Sequence, residues 1–227
     1  MPTAPSIPPN VVGSFSERTW KTRFATFLSS PSMRPRVMAL AKLLGFRDEQ
    51  WIRVVMNRET LKLVLQLPTR SLDVAEISGC FWRDRCPFKS YTTLDFPEFD
   101  ICRESTERKF DLVIAEQVFE HVLWPYRGAK NVFDMLRPGG HFLITLPFLI
   151  RIHGYPTDCS RWTEVGLRHF LAECGFPLDE IVTGSWGNTS CVRSNLWVWK
   201  RYHPLLHSLR NERDFPMNVW AVARRPD

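Results

Sequence analysis

The chain has few long hydrophobic runs, no paired cysteines and little glycine, and each shortage excludes something. Its longest apolar stretch, around Phe142–Ile150, covers about half a membrane span and is broken by Pro147, so no transmembrane helix is expected. The N-terminus lacks a charged segment followed by an apolar one. No secretory leader is expected, and the cytoplasm is the expected location. The cysteines are Cys80, Cys86, Cys102, Cys159, Cys174 and Cys191, with no C-x-x-C pair and no His/Cys spacing of the zinc type. They read as small buried hydrophobes in a reducing compartment, and no metal is expected. An acidic and histidine cluster near an acceptor could hold a divalent ion, but no ligand spacing decides it. The net charge of +6 permits an anionic partner. Arg34/Arg36, Arg83/Arg85 and Arg224/Arg225 are too scattered to form the stripe that nucleic acid needs.

What is present suits one α/β domain with an extension, since 227 residues can bury a sizeable core. Residues 1–16, rich in Pro, Ser and Thr, read as a flexible leader, and residues 17–69 as an N-terminal helical extension. Val37, Leu40, Ala41 and Leu44 share a helical face closed by Gly45. A second helix is expected after Asn57, carrying Leu61, Val64 and Leu65 and stopping before Pro68. From residue 70 to 227 strand and helix signals alternate, which predicts a mostly parallel sheet with helical crossovers. Strands are expected at 71–77, 90–94, 110–115, 141–146, 180–185 and 217–223. One helix carries Ala129, Val132, Phe133 and Leu136 and ends at Pro138-Gly139-Gly140. Another runs from Thr163 through Leu167, Phe170, Leu171 and Cys174 to Gly175.

Open parallel sheets bind ligands beyond the carboxyl ends of their strands. Three such ends carry suitable groups. The first reads Glu76-Ile77-Ser78-Gly79-Cys80, in which one glycine lets the backbone turn closely under a ligand. Asp95 follows Glu76 by 19 residues, near the spacing at which a carboxylate binds the two ribose hydroxyls of a nucleoside cofactor. The third end is Glu116-Gln117-Val118-Phe119-Glu120-His121. Singly, Glu76 reads as a capping or salt-bridged carboxylate and Asp95 as a turn residue; their order along the chain makes the set specific.

The segments Phe110–Ile114, Glu120-His121-Val122 and Leu136-Arg137-Pro138-Gly139-Gly140-His141-Phe142 resemble class I S-adenosylmethionine-dependent methyltransferases, notably those with the type 11 domain. The resemblance spans roughly residues 70–225. It implies a Rossmann-like fold with a seven-stranded, mostly parallel sheet flanked by helices, and S-adenosyl-L-methionine as cofactor. It assigns Glu76, Ser78 and Gly79 to the methionine part, Asp95 to ribose, Asp100 and Ile101 to adenine, and Glu116, Gln117 and His121 to the segment after the fourth strand. The sequence departs from the family in having only Gly79 within Glu76–Trp82, and a short Asp95–Phe110 segment.

The stretch from Pro147 to Trp162 begins where a strand ends and so should lie over the reacting centre. Methyl transfer to oxygen needs in-line positioning and a base of near-neutral pKa. His153 fits as general base and Asp158 as its orienting or proton-sharing partner, while Tyr155, Arg161 and Trp162 would hold a hydroxylated substrate. The plainer alternatives are a loop histidine, an Arg161–Asp158 structural pair and a Trp162 partly in the core. The His-Gly-Tyr-Pro-x-Asp-x-x-Arg-Trp-Thr pattern resembles methyltransferases of saccharide biosynthesis, among them the 1-O-methylating group of the methylmannose polysaccharide pathway. That resemblance implies a sugar acceptor. Trp186, Trp197, Trp199 and Trp220 would suit its flat faces, although Trp220 also fits a core strand. An RNA methyltransferase and a module that keeps the fold without transfer stay open as alternatives.

Overall fold

The computed structural model describes residues 39, 42–154 and 157–227. Contacts divide the chain into a unit ending at Gly45 and one running from Phe46 to Asp227. In the first, Gly45 has φ 92° and its N–H bonds the Lys42 carbonyl, the turn expected after the helix at 37–44. Most of that helix lies outside the described residues.

The second unit is built on one six-stranded sheet: β1 (Asp73–Ile77), β2 (Ser90–Leu94), β3 (Phe110–Glu116), β4 (Leu136–Pro147), β5 (Ile181–Trp186) and β6 (Asn218–Arg224). The order is β2-β1-β3-β4-β6-β5, parallel throughout except for β6, which pairs antiparallel with both neighbours. The fold is therefore α/β and Rossmann-like, but the expected seventh strand does not form among the described residues. Between Asp95 and Lys109 the chain has room only for turns, and β2 is left as the edge.

Side chains alternate between the two faces of the sheet, as a two-residue period requires. Ala75, Val113, Ala115, Phe142, Ile144 and Ala221 point to one face. There they meet α2 (Pro125–Met135) and α3 (Glu164–Glu173) through Ala129, Val132, Leu167, Phe170 and Leu171. Each such large side chain contributes roughly 1.5–3 kcal/mol of burial. Thr163 caps α3, its Oγ1 accepting the Gly166 N–H at 3.1 Å, and Gly175 leaves the helix at φ 112°, which favours glycine. Leu136, expected at the end of α2, is instead the first residue of β4.

Val74, Leu112, Ile114 and Leu143 point to the opposite face. The connection from β1 to β2, residues 78–89, contains turns but no helix. Trp82 fills the space, fully buried among Val64, Leu72, Val74, Cys86 and Leu112. Beside it, α1 (Val54–Leu65) packs Val55 and Met56 against Trp186, Met217 and Trp220. This helix starts four residues earlier than expected. Asn57 is not its cap but a buried residue whose amide donates to Glu49 Oε1 at 2.6 Å. A short fourth helix, α4 (Thr189–Asn195), was not expected and is capped by Asn188 through the Cys191 N–H. Among the described residues no helix is long and apolar enough to cross a membrane.

Candidate active site

The chain leaves β1 for β2 on one side and returns to β3 on the other, so the crevice lies where the carboxyl ends of β1 and β3 diverge. Glu76 sits there, buried, but its carboxylate is committed to the protein. Oε1 accepts the Phe81 N–H and Oε2 the Trp82 N–H, each at 3.0 Å, and the Tyr91 hydroxyl donates to Oε2 as well. Burial and this carboxylate push the Tyr91 hydroxyl pKa well up. Ser78 has φ 52°, and a Cβ on Gly79 would stand 2.8 Å from Glu76 Oε1. The single glycine is thus the position where the turn passes over the carboxylate, and a larger residue would displace it.

Glu116, at the end of β3, is also buried. It accepts from Arg53 Nη1 at 3.1 Å and from Trp82 Nε1 at 2.8 Å. Burial outweighs the arginine and pushes its pKa up to about 7, with neighbouring Glu76 adding to the rise. Gln117 follows at φ 56°, its N–H bonded to the Thr145 carbonyl and its amide near Thr145 and Met56. Asp95, beyond β2, is exposed, and its side chain has no hydrogen bond or ion pair among the described residues. Asp100 accepts the Cys102 N–H and pairs with Arg103, whereas Ile101 is a core residue. A cavity of about 570 Å³ lies by Arg53, Asn57, Phe81 and Arg85, but Asp95, His121 and His153 do not line it.

A second cluster forms where the turn Phe119–His121 meets the loop after β4. Phe119 anchors the turn in the core. The Glu120 carbonyl accepts the Cys159 N–H at 2.7 Å, Thr157 Oγ1 donates to the His121 carbonyl at 3.1 Å, and His121 Nδ1 donates to the Thr157 carbonyl. These bonds bring the His153 ring to 5.1 Å from that of His121. Asp158 is nearly buried. It takes both terminal nitrogens of Arg161 and the His153 N–H, and lies 3.3 Å from His153 Nδ1. Burial holds the His153 pKa below the ordinary histidine range against the opposing pull of Asp158.

His153 Nδ1 lies 3.3 Å from Asp158 but makes no hydrogen bond among the described residues, and Arg161 is the hydrogen-bonded side-chain partner of Asp158. Trp162 packs against the core, 5.1 Å from the Phe170 ring, and Tyr155 lies outside the described residues. Of the four tail tryptophans, Trp186 and Trp220 are core, Trp197 is exposed, and Trp199 faces His153 at 6.0 Å with Arg151 stacked on it. Arg53, Trp82 and Glu120 are the site residues to which sequence reasoning gave no role. Only Glu120, inside a stretch already singled out, carried a local signal.

Residues 72–144 match the family model described as a methyltransferase domain. The fold is that of a class I methyltransferase. A Mesorhizobium loti S-adenosylmethionine-dependent methyltransferase is similar over 77% of this chain and all of its own, at TM-score 0.53 and 17% identity. A putative methyltransferase complexed with the Haloferax volcanii Trm112 activator is similar over 78% of this chain and 96% of its own, at 0.51 and 14%. A Haemonchus contortus N-methyltransferase, crystallised with phosphomonomethylethanolamine and S-adenosylhomocysteine, is similar over 75% of this chain and 53% of its own, at 0.52 and 13%. No curated protein sequence matches the chain. At these identities the structures establish the fold alone; the domain match, over residues 72–144, is to a methyltransferase domain. Near the carboxyl ends of β1 and β2 the chain has an exposed carboxylate, Asp95, and a glycine turn that a Cβ would fill.

Proposed function

We propose that the protein transfers a methyl group from S-adenosylmethionine to a hydroxyl of a sugar or oligosaccharide, such as the 1-hydroxyl of a methylated mannoside. The observation that carries this reading is the neighbourhood of His153: an imidazole backed by Asp158, beside the Arg151–Trp199 stack. A flat ring next to a base suits the apolar face of a sugar. When bound, the cofactor supplies an electrophilic methyl on a sulfonium. Asp95 would hold its ribose, and the backbone of Ser78–Gly79 would approach its methionine part. Asp100 and Gln117 have protein partners of their own and would act through the backbone around them.

Asp158, fixed by Arg161, orients the His153 ring, and the imidazole takes the hydroxyl proton as the oxygen becomes nucleophilic. Arg151 and Trp199 position the acceptor, and Trp162 shapes the wall beneath it. The test is methyl transfer from labelled cofactor to a panel of mannosides and other sugars. His153→Ala is expected to lower turnover by roughly 10²–10⁴-fold with cofactor affinity nearly unchanged. Full turnover in that variant would remove His153 as the base.

One observation favours a second reading, a methyltransferase-like binding module. Both strand-end carboxylates, Glu76 and Glu116, are already bonded within the protein. Under that reading no sugar in the panel, nor RNA, would be methylated.

A further inference from the structure

Glu120 is the most unusual side chain in the molecule. It is fully buried, and neither carboxylate oxygen has a hydrogen-bond partner among the described residues. An isolated buried carboxylate costs several kcal/mol unless it is neutralised, paired or bound to a cation. Its surroundings point to the last of these. One nitrogen of His121, one nitrogen of His153 and a Glu120 oxygen all lie within 4.8 Å of one another. The Thr157 carbonyl can only accept, so His121 Nδ1 carries the hydrogen and Nε2 keeps its lone pair, 3.7 Å from Glu120 Oε1. Asp158 stands 3.3 Å from His153 Nδ1. Metal-binding histidines are commonly held as His121 is, by a backbone carbonyl behind the ring, while His153 Nδ1 is buried with no hydrogen-bond partner among the described residues.

We propose that Glu120, His121 and His153 form a binding site for one divalent first-row transition ion. Two imidazoles and one carboxylate suit zinc, cobalt, manganese or iron better than magnesium, which prefers oxygen ligands and keeps its waters. Sequence spacing did not show the set because the third ligand lies 32 positions beyond the second and is delivered by the loop after β4. The site does not depend on the acceptor proposed above. It does bear on it, because a nitrogen bound to the ion cannot at the same time take a proton.

The test uses the full chain, stripped with a chelator and titrated with Co²⁺ under visible absorption. One Co²⁺ per chain is expected, with the ligand-field bands of a nitrogen and oxygen site. His121→Gln and His153→Gln should each weaken binding by at least the roughly 10–100-fold that loss of a supporting partner costs. His153 is on a partly exposed loop, so its variant keeps the fold testable, and circular dichroism checks both proteins. No stoichiometric binding, or binding that survives both variants, would overturn the proposal. So would loss of binding in Cys159→Ser, since that thiol is exposed nearby and would bring sulfur-to-metal bands. Cobalt binding without sugar methylation would keep this site and remove the sugar reading; methylation without cobalt binding would do the reverse.

Discussion

At the scale of single residues, the site is governed by which carboxylates are already satisfied. Glu76 and Glu116 hold the chain after β1 in place, while Asp95 stands free at the surface. Asp95→Ala is therefore expected to weaken S-adenosylhomocysteine binding by about 10–100-fold, the worth of hydrogen bonds to a charged group. An unchanged dissociation constant would mean that β2 has been aligned wrongly with the cofactor. Glu116 makes a separate prediction. Its pKa is raised from 4.5 to about 7 in the folded protein, so the fold binds the extra proton between those values. Stability from this group is full below about pH 4.5 and declines as pH rises to 7, by up to about 3 kcal/mol. Glu116→Gln cannot titrate, so its stability relative to wild type should rise across that window in denaturant melts. A constant difference would mean that Arg53 keeps the carboxylate ionised throughout.

At the scale of elements, the departure from expectation lies between β1 and β2. Residues 78–89 cross over without a helix, and Trp82 does the covering, tied to Glu116 by its indole N–H. Trp82→Ala is expected to cost about 3–5 kcal/mol in chemical denaturation, as other large buried aromatics do. A cost below about 1 kcal/mol would show that α1 alone covers this face. The strands were legible because each is a short β-branched or apolar run bounded by turn residues. Phe110–Ile114 and Asn218–Ala223 show it most clearly. The start of α1 was not legible: Asn57 has the chemistry of a cap, but it is buried inside the helix and bonded to Glu49. For α4, seven residues leave too short a period to read.

At the scale of the whole molecule, the mostly parallel sheet was legible in the alternation of strand and helix signals, whereas its order β2-β1-β3-β4-β6-β5 is set by long-range pairing that no local pattern shows. A passage of turns at 95–109 removes the seventh strand that the family resemblance implies. The placement of Glu76, Asp95 and Glu116 at the carboxyl ends of consecutive strands was legible because each follows a short strand run in the sequence. The acceptor end was legible only in part. Its bonds join residues 119–121 to 153–161 and Trp199, and that meeting is a property of the folded chain rather than of any local pattern. The central claim is that this six-stranded sheet, with one glycine in its first turn, still takes the cofactor. Calorimetric titration of the full chain with S-adenosylhomocysteine tests it most directly. Saturable one-to-one binding in the micromolar range is the expected result, and no heat of binding at millimolar concentration would contradict it.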